Sequence, residues 1–249
     1  MLLHHCTWPE VEARLARDTG IIVPIGSTEQ HGPNGLLGTD ALCAEVVAKG
    51  VGEQADALVA PTISVGMAQH HLGFAGSMTL RPSTLIAVVR DTVQSLARHG
   101  FTRIYLINGH GGNVATVSAA FSEVYAESSL DGGRRNASGL RCRLKNWYDS
   151  AAVRTLSKEL YGDAEGSHAT PSEVALTQFA FPESIKRAEM SPAIAPTGPI
   201  HDAFDYRRRF PDGRIGSNPA LATPEAGARL YAAAVADLTA DYREFLAAD

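Results

Sequence analysis

Apolar positions along the chain fall into short continuous runs and longer stretches with helical spacing. Gly20–Ile25 is rich in isoleucine and valine and stops at Gly26, the pattern of a buried strand handing over to a loop. From Asp40, Leu42, Val46 and Val47 recur at helical spacing, with Gly50 as the expected stop. Ala57–Val65 predicts a second strand, interrupted by Pro61 and followed by a glycine-bearing loop through Gly76. Thr84–His99 is the clearest amphipathic helix, with Leu85, Val88, Val89, Val93 and Leu96 on one side and Gly100 closing it. Phe101–Ile107 predicts a strand that runs into the polar loop Asn108–Asn113, and a helix follows from Val114 to about Glu127. Leu130–Gly139 reads as an exposed connection, Leu140–Trp147 as a strand and Ser172–Phe181 as a helix. Between Pro192 and Pro224, proline and glycine recur too often for regular structure, and a helix from Pro224 to about Phe245 ends the chain.

Alternating strands and helices predict an α/β fold, a single-domain three-layer sandwich over residues 1–249 in which a mostly parallel sheet is flanked by helices. Such sheets place their sites at the carboxyl ends of strands, and Ser27–Asp40 and Asn108–Asn113 both lie there. A chain of 249 residues is within reach of one core, and 45% hydrophobic with 20% charged residues excludes a disordered chain. A net charge of -5 gives no electrostatic footprint for nucleic acid or an anionic membrane. Cys6, Cys43 and Cys142 form no CxxC pair, and Met1–Pro9 lacks the pattern of a signal peptide, so a cytoplasmic protein is expected.

The candidate chemistry gathers at the strand ends. In Gly26-Ser27-Thr28-Glu29-Gln30-His31-Gly32-Pro33, Glu29 and His31 share a face if the segment is extended, and Asp40 follows a glycine-containing bend. His110 is offered from the neighbouring loop between Gly109 and Gly111. Imidazoles and carboxylates without thiolates suit one or two divalent ions, zinc first, with manganese or iron(II) as alternatives. The structural reading is that Glu29 and Asp40 cap helices and His31 is a hydrogen-bonded loop residue. Phosphate binding by Asn108–Asn113 is disfavoured, because the loop has neither GxGxxG spacing nor a P-loop lysine. His168 is a candidate proton-transfer group, and Glu173 either binds metal or orients water, or simply caps the helix that Thr170-Pro171-Ser172-Glu173 opens. His70 and His71 in the glycine-bearing loop, and Gly111, are candidate substrate contacts. Arg207-Arg208-Arg209 reads as a solvated surface or subunit contact, and no GxSxG elbow surrounds Ser27.

These segments, with Thr39-Asp40, Asn108-Gly109-His110-Gly111-Gly112-Asn113, Gly166-Ser167-His168 and Ser172-Glu173, resemble the creatininase, or creatinine amidohydrolase, family over most of the chain. The resemblance implies an α/β fold with a parallel-rich sheet, a dinuclear metal centre and a homo-oligomer, commonly a hexamer. By that resemblance Glu29 and His31 bind separate metals, Asp40 bridges them, His110 completes one site, and His168 and Glu173 lie in the catalytic pocket. Creatinine-hydrolysing members carry an aromatic residue and a metal-binding glutamate where this chain has Gly111 and Gly112. Either Glu173 replaces that ligand or the second ion is weakly held. The tryptophan and the aspartate that contact creatinine in those members, shortly before the match to His168, have no counterpart, Asp163-Ala164-Glu165 occupying the region, so creatinine is not the expected substrate. The expected reaction is hydrolysis of an amide, cyclic amide or formamide C–N bond in a small polar molecule by metal-activated water. The ligand set alone also fits a metal-dependent lyase or isomerase, and loss of the glutamate at Gly112 is the feature that fits a noncatalytic metal-binding oligomer.

Overall fold

Four strands, β1 (Gly20–Ile25), β2 (Leu58–Val59), β3 (Arg103–Asn108) and β4 (Arg141–Asn146), pair in parallel in the order β2-β1-β3-β4. They are seen in a computed structural model that describes residues 1–130 and 139–248. All of β1 is buried, which is why it reads as a continuous apolar run. Successive side chains leave the sheet on opposite faces: Ile22, Tyr105 and Ile107 enter one core, and Ile21, Val23, Ile25, Ile104 and Leu106 the other. The first core is closed by α2 (Thr39–Gln54), α5 (Ala151–Tyr161), α6 (Pro171–Ala180) and α8 (Pro224–Ala247). The second is closed by α3 (Pro82–Arg98) and α4 (Asn113–Leu130), with Val11 and Leu15 of α1 (Trp8–Leu15) packed at its edge. The result is the expected α/β sandwich of helix, sheet and helix.

Register aligns the strand ends that matter. Ile25 is paired with Asn108 and Asn108 with Asn146, so the loops after β1, β3 and β4 leave the sheet at one level. The chain leaves β1 through α2 on one face and returns to β3 through α3 on the other, which opens a crevice at those ends.

Several boundaries differ from expectation for identifiable reasons. Strand β2 is confined to Leu58–Val59, because Pro61 cannot donate to the ladder, and beyond it only Ile63 bridges to Ile25. Helix α2 passes through Gly50 and ends at Gln54; a Cβ on Gly50 would lie 2.3 Å from the Tyr231 hydroxyl and 2.7 Å from Val235. That glycine therefore lets α8 approach α2 and does not stop the helix. Helix α5 was not anticipated: its buried stripe is Val153, Ser157 and Tyr161, and a serine in the middle breaks the apolar period. Helix α1 was missed too, although Thr7 and Glu10 form a capping box at its start. Within Pro192–Pro224, expected to lack regular structure, Ala203–Arg209 forms the short helix α7. The rest of that segment is organised by Arg214, a fully buried guanidinium that donates to the carbonyls of Pro192, Ala193 and Ser217 at 2.8, 3.0 and 3.0 Å and pairs with Asp212. Most of the connection Leu130–Gly139 lies outside the described residues. The three cysteines are free, and no described helix is long and apolar enough to cross a membrane.

Gly50→Val tests the packing role directly. Overpacking against Tyr231 and Val235 should lower unfolding stability by about 1–3 kcal/mol in a urea titration. A stabilised protein, as helix propensity alone would give, contradicts this reading.

Candidate metal centre

The loop after β1 folds back on itself, with the Gly35 amide donating to the His31 carbonyl at 3.1 Å and the Glu29 amide to Leu37 at 2.7 Å. This return delivers Asp40 in the first turn of α2, where the helix dipole favours a negative charge. The β3 loop closes over it: a Cβ on Gly109 would lie 2.1 Å from the Asp40 carbonyl, so only glycine permits this approach. The loop's own asparagines hold its shape. Asn108 accepts from the His110 amide at 3.1 Å and donates to Asn146 at 2.8 Å, while Asn113 donates to the Gly26 carbonyl at 2.9 Å and accepts from the Met67 amide at 3.0 Å.

Both imidazoles are oriented from behind. His31 donates from Nδ1 to the Glu29 carbonyl at 3.1 Å, and His110 donates from Nε2 to the Met67 carbonyl at 3.0 Å. Their inner nitrogens therefore carry lone pairs, and these face carboxylates: His31 Nε2 is 3.0 Å from Asp40 Oδ1, and His110 Nδ1 is 3.0 Å from Asp40 Oδ2 and 3.3 Å from Glu29 Oε1. Lone pairs facing anions repel unless a cation lies between them. Glu29 Oε2 and Asp40 Oδ2 are buried with no hydrogen-bond partner among the described residues, as expected of atoms built to bind something else. Two donor sets share Asp40, one with Glu29 and His110 and one with His31 and Glu173, each with its ligand atoms within 4.8 Å of one another. A further set joins Glu29, His31 and His168.

The same demand for positive charge appears in the protonation equilibria. Burial opposes charging His31, yet Asp40 and Glu173 push its pKa up to about 10. Burial likewise opposes charging His110, and Glu29 and Asp40 raise it well above the ordinary imidazole value. Burial would raise Glu29, but His110 and His71 hold it well below the usual carboxylate range. Glu173 is pushed up to about 7 by burial, with Asp40 adding to the rise and His31 opposing it.

Glu173 caps a helix and also lies beside the other candidate donors. Its Oε1 accepts from the Thr170 amide at 2.5 Å in a capping box at the start of α6, and its Oε2 lies 3.9 Å from His31 Nε2. Gly112 offers no ligand, and its lack of a side chain serves His110: a Cβ there would lie 2.4 Å from His110 Nε2 and 2.7 Å from the Met67 carbonyl.

Sequence reasoning missed Gln30. It points away from Glu29 and His31, as alternation requires, into a buried hub. Its Oε1 accepts from the Gly32 amide at 2.8 Å, and its amide hydrogens serve the Gly213 carbonyl at 2.9 Å and His71 Nδ1 at 3.0 Å. His71 Nε2 then faces Glu29 Oε1 at 3.1 Å, which places His71, 2% exposed, behind a donor carboxylate. His168 donates from Nε2 to the Gln30 carbonyl at 2.8 Å, leaving Nδ1 as the free nitrogen, 3.9 Å from Glu29 Oε1. Burial, together with His71 and His31, lowers the His168 pKa well below the ordinary value, so it is neutral at pH 7. His70 stacks on Tyr206 at 5.8 Å, and burial lowers its pKa to about 4. A cavity of about 470 Å³ reaches the donors Asp40, His110 and Glu173 and also His168, with Gly111 and Tyr148 on its wall. Burial and nearby carboxylates keep the Tyr148 phenol protonated.

The chain belongs to the creatininase family, whose model, described as creatinine amidohydrolase, matches residues 4–241. The mycofactocin precursor peptide peptidase of Mycolicibacterium smegmatis is 30% identical over 218 residues, covering 85% of this chain and 79% of that protein. The solved structure named Creatininase Mn superposes with a TM-score of 0.85 at 26% identity, covering 98% of each chain. A mutant creatininase of Zn-Zn type superposes with a TM-score of 0.86 at 26% identity, again over 98% of each chain.

The charge balance predicts a pH dependence for the metal-free protein. Because folding raises the His31 pKa from 6.5 to about 10, its contribution is fully present below pH 6.5 and is lost as pH rises through about 10. Urea midpoints of chelator-treated protein should fall across that window, and divalent metal, by replacing the proton, should flatten the fall. A midpoint that rises with pH in the metal-free protein contradicts this arrangement.

Proposed function

We propose that this creatininase-family hydrolase cleaves an amide, cyclic amide or formamide C–N bond in a small polar molecule. Its donors for a pair of divalent cations are Glu29, Asp40 and His110 on one side and His31, Asp40 and Glu173 on the other. The carrying observation is Asp40, whose Oδ1 and Oδ2 each lie 3.0 Å from a different inward-facing imidazole nitrogen. When bound, such cations activate water and polarise the scissile carbonyl. The nitrogen and oxygen donor set suits zinc, manganese or iron(II), and relatives solved with zinc and manganese support the first two.

The chain's own residues supply the rest. His168, neutral and with Nδ1 free, accepts the proton of the attacking water and returns it to the departing nitrogen. The Gln30 carbonyl fixes its tautomer. Tyr148, protonated on the cavity wall, is a hydrogen-bond donor for the substrate, and Gly111 leaves room beside it. His71 acts on the substrate through Glu29, and His70 supports it from behind. By the resemblance, Gly111 and Gly112 stand where creatinine-hydrolysing members carry an aromatic residue and a glutamate, which speaks against creatinine. The peptidase relative supports amide cleavage as the reaction class and supports a peptide amide as the second reading.

His168→Ala should lower kcat by about 10²–10⁴-fold while leaving metal content unchanged, measured on whichever formamide or cyclic amide a screen identifies. Run in oxygen-18 water, the wild-type reaction should place label in the carboxylate product. Turnover without label in any product would overturn hydrolysis and point to elimination or isomerisation.

A further inference from the structure

The cavity that reaches the metal donors is also lined by two cationic side chains. Arg154 and Lys158 lie four residues apart on α5, one turn above each other, and both line the same 470 Å³ space as Asp40, His110 and Glu173. Both are exposed, whereas the floor of the cavity is buried. Several other basic side chains are paired with carboxylates: Lys49 with Glu45, Arg143 and Lys145 with Asp241, Arg208 and Arg209 with Asp205, Arg214 with Asp212. Among the described residues neither Arg154 nor Lys158 has an ion-pair partner, and Glu159, their neighbour on α5, is taken by Arg229 at 3.0 Å. Glu165, an acid on the same cavity wall, accepts from Ser172, and burial raises its pKa, which favours the neutral form.

We infer that the substrate carries an anionic oxo group, a carboxylate or phosphate, which Arg154 and Lys158 bind while the scissile amide reaches the metal donors. The inference rests on the hydrolase reading for the cavity being the substrate site. Arginine offers a planar fork matched to carboxylate or phosphate oxygens, and lysine a point charge beside it. A volume of about 470 Å³ falls within the roughly 300–1,000 Å³ of small-molecule sites, so one ligand can span both ends. The cations also raise the local concentration of anionic substrate over a floor whose carboxylates would otherwise repel it.

The test uses zinc-loaded protein, with metal content measured separately by elemental analysis, and calorimetric titration with glutaramate, 4-phosphonobutyramide and the neutral diamide glutaramide, which share an amide for the metal end and differ in the group offered to the clamp. Glutaramate or 4-phosphonobutyramide should bind about tenfold or more tightly than glutaramide, the magnitude of a charge-assisted contact. The tighter of the two identifies carboxylate or phosphate as the favoured group. The variant carrying Arg154→Gln and Lys158→Gln should lose that preference with its zinc content unchanged. Equal binding of all three ligands, or a preference that survives in the variant, overturns the anion clamp and leaves the metal reading intact. A protein that takes up no zinc overturns the metal reading instead, and the same comparison on the metal-free protein then decides the clamp.

Discussion

Burying Glu29 and Asp40 within reach of each other, with the half-buried Glu173 beside Asp40, sets like charges where water screens them poorly, and removing a carboxylate from water costs several kcal/mol. Hydrogen bonds from the protein relieve this only in part: the Thr170 amide donates to Glu173 and His71 faces Glu29 Oε1, whereas Glu29 Oε2 and Asp40 Oδ2 receive none among the described residues. Relief has to come as positive charge between the donors. In the metal-free protein it comes from protons on His31 and His110, which is why both imidazoles are driven upward against their own burial. A divalent cation would meet the same demand with more charge, held by donor atoms that already lie within 4.8 Å of one another.

The scaffold is arranged to hold that unfavourable cluster rigid. The parallel register brings Ile25, Asn108 and Asn146 to one level, and the carbonyls of Glu29 and Met67 fix which nitrogen of each imidazole looks inward. Gly109 brings the β3 loop onto the start of α2, so Asp40 and His110 approach from different elements. Arg214 stabilises the irregular segment whose Gly213 carbonyl anchors Gln30, and Gln30 in turn touches His71 and lies beneath His168. The candidate donors thus sit at strand and helix ends, and His168, the proposed proton-transfer group, is tied to them through one buried amide.

Much of this architecture was legible in the residues. Continuous runs such as Gly20–Ile25 and the amphipathic Thr84–His99 announce strands and helices because burial on two faces or on one leaves those patterns. Glu29, His31, Asp40, His110, His168 and Glu173 stood out by residue type and loop placement, and the fold brings them together. What escaped was set by tertiary contact. Gly50 looks like a helix stop until α8 is seen against it, and α5 hides behind a serine in its buried stripe. Gln30 is an ordinary polar residue until Gly213, His71 and His168 surround it, and Arg154 and Lys158 belong to a helix whose place over the cavity no local pattern reveals.

The most direct test of the centre is metal stoichiometry, by elemental analysis after reconstitution with zinc or manganese, in wild type, Glu173→Gln and Asp40→Asn. The arrangement described here requires about two ions per chain in wild type, about one in Glu173→Gln, and less than one in Asp40→Asn, where the shared ligand is gone. Two ions retained in Asp40→Asn, or none in the wild type with either metal, would contradict a centre built on that carboxylate.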